Sequence, residues 1–145
     1  MLGQLLNFIK SGKYDDVTKI CSMYTFNELK DFLLKTAYDT SDFSLYSFAS
    51  YMFTKTDKTE WLETALSLVI GPFSFVDGAY SIGLFHARQL LTKEYSIQNL
   101  EMLLFFHNIP EKLINQDEAF EIANHILKLD SSNQLALQII RKGRD

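Results

Sequence analysis

Apolar residues recur at helical spacing from one end of this chain to the other, and no stretch alternates with the period of two that a half-buried strand needs. Leu2, Leu5, Leu6 and Ile9 stand at i, i+3, i+4 and i+7. A short second face follows in Tyr14, Val17, Ile20 and Cys21. The spacing returns in Leu29, Phe32, Leu33 and Ala37, and again in Trp61, Leu62, Ala65, Leu66 and Val69. Further on it recurs in Ile97, Leu100, Leu103 and Leu104, in Ala119, Ile122, Ala123, Ile126 and Leu127, and in Leu135, Ala136, Ile139 and Ile140. A helix with one apolar stripe must bury it against another helix. The chain is therefore expected to be all-α, an antiparallel helical stack with short turns. Its 145 residues fit a single helical domain over 1–145.

Polar punctuation sets the expected helix ends. Thr25-Phe26-Asn27-Glu28 has the spacing of a capping box, in which Thr25 accepts from the Glu28 amide and Glu28 reaches back. Ser41 or Asp42 is expected to open a helix running to about Phe53; "FSLYSFASYMF" is apolar on more than one side and so should be central. Thr54 to Lys58 is a polar break, and Asp57 with Glu60 has box-like spacing for the next helix. Ser96 and Asn115, the latter with Glu118, have the same cap signature, and Asp130-Ser131-Ser132-Asn133 reads as a turn.

One segment breaks the helical pattern, "VIGPFSFVDGAY" from Val69 to Tyr80. Pro72 lacks an amide proton and disfavours helix at the residue before it. The segment has too few glycines for a phosphate-cradling loop, and no Lys-Ser or Lys-Thr follows. It reads as a corner: Gly71 in a left-handed helix end, Phe73 and Phe75 turned into the core, Asp77 near the start of a helix running from about Val76 or Asp77 to Thr92, Gly78 and Ala79 allowing close packing. The competing reading is a binding cleft lined by Phe75, Asp77 and Tyr80.

Charge narrows the partners. Net charge is −4, with 18 acidic and 14 basic residues, and three of the cations fall in the last five positions, Arg141-Lys142-Gly143-Arg144-Asp145. Without those five residues 17 acids remain against 11 bases. Such a body is unsuited to nucleic acid phosphates and suits a basic partner. The single cysteine, Cys21, allows no internal disulfide and reads as a partly buried thiol. The first ten residues lack the basic start and cleavage site of a signal peptide. The longest apolar run, about Leu66 to Val76, is broken by Gly71-Pro72 and is too short to span a membrane, so a cytoplasmic location is expected.

Catalytic constellations are not legible. His86, His107 and His125 form no metal-binding spacing with one another, and no cysteine pair joins them. Asp117, Glu118 and Glu121 read as the negative first turns of a helix, and the serines stand at caps and turns without a nucleophile elbow. Neither an enzyme nor a cofactor or metal site is expected.

An internal repeat is present at an offset of 36 residues. "HARQLLTKEYSIQNLEMLL" (86–104) aligns with "ANHILKLDSSNQLALQII" (123–140) when Ala87 is set on Ala123. This resembles a tetratricopeptide helix pair, with Ser131 where that repeat commonly has proline. The resemblance implies an α-solenoid-like C-terminal half.

"PFSFVDGAYSIGLFHARQLL" and "LEMLLFFHNIPEKLINQDEAFEIANHILKLDSSNQLAL" resemble small helical immunity proteins that bacteria encode beside polymorphic or contact-dependent growth inhibition toxins. The resemblance spans roughly residues 60–140 and rests on Asp77-Gly78-Ala79-Tyr80, on His86-Ala87-Arg88 and on "LLFFHNIPEKL". It implies a non-enzymatic inhibitor that binds one cognate toxin domain, often a basic nuclease, and covers its active or substrate surface. No direct nucleic acid contact and no membrane contact are implied, and the protein would be a monomer or homodimer. Such interfaces are family-member specific, so the candidate contacts come from this chain's own residues. They are Asp39, Asp42, Asp57, Glu60 and Glu63, read as lying at successive helix starts or first turns, the aromatic anchors Tyr38, Tyr46 and Tyr51, and Asp77 with Tyr80 at the corner. Because neighbouring helices run in opposite directions, Asp39 and Asp42 are expected at one end, and Asp57 and Glu60 at the other. A helical adaptor that takes a peptide or helix of a cellular protein is the alternative.

Overall fold

The structure, a computed structural model, describes residues 1–144, the last of them by its backbone alone. Among the described residues it is all-helical: α1 (Leu2–Lys10), a 3-10 turn (Tyr14–Val17), α2 (Thr18–Cys21), α3 (Phe26–Thr40), α4 (Ser44–Thr56), α5 (Thr59–Ile70), α6 (Ala79–Lys93), α7 (Ile97–Asn108), α8 (Gln116–Leu129) and α9 (Gln134–Arg144). No described helix is long and apolar enough to cross a membrane. The contacts group into two compact units, Met1–Gly83 and one beginning at Leu84.

In the first unit α3, α4 and α5 run up, down and up. Phe26 at the start of α3 meets Trp61 at the start of α5, with ring centroids 5.1 Å apart. At the far end Tyr38 lies beside Gly71, just past the end of α5. Helix α5 is the most buried element: seven of its twelve residues are buried, against four of thirteen in α4. Helix α4, expected to be central, gives Leu45, Phe48, Ala49 and Met52 to the core and contacts α1 as well as α5. Its aromatics also meet the 3-10 turn, where half-buried Tyr14 packs edge-on against buried Phe48 at 5.5 Å and at a tilt against Tyr51 at 5.3 Å. Leu5, Ile9, Val17 and Ile20 complete this core from α1, the 3-10 turn and α2. Each such fully buried side chain contributes about 1.5–3 kcal/mol of transfer free energy.

Helix boundaries depend on local bonding. The Thr25 box forms in both directions, each bond 3.2 Å. Ser41 ends α3 in the left-handed conformation (φ 56°), so it caps nothing ahead of it. Asp42 instead accepts from the Ser44 amide at 3.0 Å and the Ser44 hydroxyl at 2.6 Å. Helix α4 continues past Phe53 to Thr56, with the Thr54 and Thr56 hydroxyls donating back to the Ser50 and Met52 carbonyls.

The corner differs from expectation in four particulars. Helix α6 starts at Ala79, not at Val76 or Asp77, because residues 71–78 form successive turns. Gly71 is not left-handed (φ −110°); it is needed for space, since a Cβ there would lie 2.8 Å from the Ser67 carbonyl oxygen and 2.9 Å from Tyr38 Oη. Gly78, by contrast, has open space around it and is needed for its φ of +85°. Phe73 is fully buried, whereas Phe75 is 67% exposed.

In the second unit the 36-residue offset is structural as well as textual. Ala87 and Ala123, Leu90 and Ile126, Leu100 and Ala136, and Leu103 and Ile139 are buried at matching positions. Ser96 accepts from the Asn99 amide and Asn115 from the Glu118 amide, both as expected, and Asn133 caps α9 by accepting from Ala136. Arg88 pairs with Glu118 at 2.7 Å, and seven residues further along each segment Tyr95 meets His125, so α6 and α8 run in the same direction. The link between α7 and α8 is pinned by buried Ile114 and by the His107 ring, whose Nδ1–H donates to the Ile114 carbonyl at 2.9 Å. Arg141 and Lys142 are exposed on α9; Asp145 and the Arg144 side chain lie outside the described residues.

The repeat places His86 where Ile122 stands, and both are buried. Burial pushes the His86 imidazole below its ordinary pKa of 6.5, with the Gln89 side chain opposing that effect from 2.8 Å. The unfolded chain therefore binds more protons at this residue, and the stability His86 contributes is full above pH 6.5 and falls as the pH drops below it. His86→Ile is expected to flatten the stability profile below pH 6.5, measured by thermal unfolding as the pH is lowered from neutral. Phe73→Ala is expected to cost about 3–5 kcal/mol in urea unfolding, whereas Phe75→Ala stays within about 0.5 kcal/mol of the parent.

Candidate protein interface

The last turn of α3 carries Tyr38 and Asp39, both exposed. Tyr38 is 65% exposed, yet its phenol end rests against Gly71, which fixes one edge of the ring and leaves the rest to solvent. Asp42 is half-buried and engaged with Ser44. Phe43 stacks on Tyr46 at 5.3 Å and packs edge-on against buried Phe73 at 5.1 Å. Burial pushes the Tyr46 phenol above its ordinary pKa, with a hydrogen bond to Ser50 opposing it.

These contacts join the α3–α4 turn to the 71–78 corner. Tyr38, Asp39, Asp42 and Tyr46 therefore share one end of the first unit with the corner that carries exposed Phe75 and Asp77. Tyr80 is half-buried in the first turn of α6.

Asp57, Glu60 and Glu63 are not brought to that end. Asp57 and Glu60 lie at the α4–α5 turn, opposite it, and Glu63 is exposed partway along α5. Two members of the acidic set also occupy different helix positions from those expected. Asp39 is in the last turn of α3, and Asp57 is the left-handed C-cap of α4 (φ 56°), its amide donating to the Phe53 carbonyl at 2.7 Å. Neither starts a helix. The Asp57–Glu60 box does not form: Lys58 precedes α5 without a side-chain cap, and Glu60 accepts from the Thr59 hydroxyl at 3.2 Å. Identical spacing produced a true cap at Asn115 because Asn115 itself is extended, whereas Asp57 is left-handed and ends the helix before it.

The α4–α5 end instead borders a cleft of about 370 Å³ that the sequence did not reveal. Its floor is Trp61, Leu29 and Met52, its walls include Tyr24, Phe26 and Cys21, and Lys58 and Glu60 stand at its rim. Burial pushes the Cys21 thiol up from its ordinary pKa, which keeps it protonated and weakly nucleophilic. A second unforeseen cluster ties the 3-10 turn to α4: Asp15 accepts from the Tyr51 hydroxyl and from Lys55 Nζ, the latter at 3.1 Å. The Tyr51 bond first, and Lys55 next, hold the Asp15 carboxyl below the usual carboxylate range. Tyr51 is thus occupied within the fold. Both clusters join segments far apart in sequence, so no local motif marks them.

Among the described residues no three His, Cys, Asp or Glu side chains are placed to share a metal ion. Glu118, read as a first-turn acid, is one, and it also forms a two-pronged pair with Arg88.

No family model, curated protein or solved structure matches the chain.

Because Ser41 ends α3 in the left-handed region and does not cap α4, Ser41→Gly leaves stability unchanged or raises it by up to about 1 kcal/mol, since glycine adopts positive φ without penalty. Asn115→Ala removes a real cap and costs about 1 kcal/mol. Equal losses for the two variants in urea unfolding would restore the capping role of Ser41.

Proposed function

We propose that this chain is an immunity protein that binds and neutralises a cognate toxin domain, a basic nuclease, by covering its active or substrate-binding surface. The observation that carries this reading is the pairing of exposed aromatics with carboxylates at one end of the first unit. Tyr38 and Phe75 are about two-thirds exposed, and the exposed Asp39 and Asp77 follow them in the chain by one and two residues. Large exposed rings favour a buried contact with another protein, and aromatic anchors dominate the energy of such contacts. Carboxylates at the rim speed encounter with a cationic partner and select for it. The resemblance over roughly residues 60–140 supplies the toxin as the kind of partner. The complex would form in the cytoplasm and, at standard size, bury about 1,600 Å² in total.

A helical adaptor is the second reading, and the geometry of the second unit favours it. Helices α6 and α8 run in the same direction, and Phe85, Tyr95 and Leu129 are exposed along that pair. A peptide of a cellular protein could lie across them.

Pull-down of the tagged chain with the toxin domain encoded immediately upstream, followed by growth rescue, separates the two. Immunity requires tight one-to-one binding and rescue of cells that express the toxin. Absence of both removes the immunity reading, and micromolar capture of peptides by α6 and α8 would then support the adaptor.

A further inference from the structure

We propose that the α3–α4 turn and the 71–77 corner together form the docking end for a cationic segment of a partner protein, with arginine or lysine side chains lying on Tyr38 and Phe75 and paired with Asp39 and Asp77. The proposal deepens the preceding reading by choosing one end of the first unit and the chemistry of what it receives.

Three observations carry it. The first is charge. No lysine or arginine occurs between Lys35 and Lys55, or between Lys58 and Arg88. Both elements of this end fall within those gaps. The nearest cations along the contacting elements flank the end: Lys35 is one turn before Tyr38, and Lys13 precedes the Tyr14 whose hydroxyl donates to the Ser44 carbonyl at 3.4 Å. Among the described residues no ion pair engages Asp39, Asp42 or Asp77. The α4–α5 end differs, because Lys55 and Lys58 stand among its acids.

The second is the position of Asp39. A carboxylate in the last turn of a helix faces the negative end of the macrodipole, which disfavours it. Asp39 makes no compensating ion pair among the described residues. Local helix physics therefore gives no reason for an acid here, whereas Asp42, which bonds Ser44, has one.

The third is preorganisation. Gly71 leaves room for the Tyr38 phenol, and buried Phe73 holds Phe43 against the corner. The exposed rings therefore stand on a fixed frame, which lowers the entropy cost of binding. A guanidinium or ammonium group above such a ring gains a cation–π contact that an adjacent carboxylate reinforces.

The test uses the full chain, labelled with 15N, and two synthetic peptides: one alternating arginine with leucine, the other with glutamate in place of each arginine. The arginine peptide is expected to shift the amide resonances of residues 38–43 and 73–78, and to bind about tenfold more weakly at about 0.5 M salt, where charge attraction is screened. Asp39→Lys is expected to weaken that binding about tenfold while raising the thermal midpoint, because a cation suits the helix end. This opposed pair of effects separates loss of binding from loss of folding. Shifts centred on Glu60 and Glu63 or on α8, an equal response to both peptides, or no response overturns the proposal. A chain that gives the expected map but fails toxin rescue retains its cationic docking end and loses the immunity role.

Discussion

The burial of Phe73 is the constraint on which the first unit turns. Its ring can reach the core only if the chain leaves α5 at once, and Gly71 and Pro72 make that possible: one has no Cβ to strike the Ser67 carbonyl or Tyr38, and the other cannot prolong the helix. The Phe73 amide then bonds the Leu68 carbonyl at 3.0 Å, closing the end of α5. Phe43 packs edge-on against the buried ring and carries the start of α4 with it. One apolar side chain thereby fixes the corner and the α3–α4 turn, and with them everything exposed at that end.

Much of this fold was legible in the sequence because helical faces and caps are local. Thr25, Ser96 and Asn115 each cap the helix their spacing marks, and each expected face supplies buried residues, such as Leu5 and Ile9 or Leu29, Leu33 and Ala37, with partly buried Leu2, Leu6 and Phe32 beside them. The failures share a different cause. Phe73 and Phe75 are the same residue type two positions apart, and only the direction of a turn sends one inside and the other out. Asp57 and Asn115 both precede a glutamate by three, yet one ends a helix in the left-handed region and the other opens one. The candidate end was partly visible through Tyr38, Asp39, Asp42 and Asp77. That these residues belong together depended on the contacts of Gly71 with Tyr38 and Phe43 with Phe73, which no local pattern encodes.

The two units also differ in how strictly they obey local rules. From Ala87 to Ile139 buried positions match at an offset of 36 residues, with His86 opposite Ile122; beyond them buried Phe106 and His107 stand opposite exposed Lys142 and Gly143. In the first unit the departures lie on the surface: a tyrosine two-thirds exposed, a phenylalanine likewise, and a carboxylate at the unfavourable end of a helix.

Such departures carry functional information because folding alone gives them no support. An exposed ring loses the transfer free energy that burial would provide, and an acid at a helix C-terminus opposes the dipole by about 0.3–1 kcal/mol. One departure alone is unremarkable, since isolated apolar residues are normal on protein surfaces. Here Tyr38 and Asp39 are adjacent in sequence, and Tyr38 rests on the glycine that begins the corner leading to Phe75 and Asp77. Apolar area and uncompensated negative charge thus coincide on a frame that buried aromatics hold in place. A cationic, partly apolar surface would relieve both departures at once, which favours this end as the point of contact over the cleft beside Trp61 with its mixed charges.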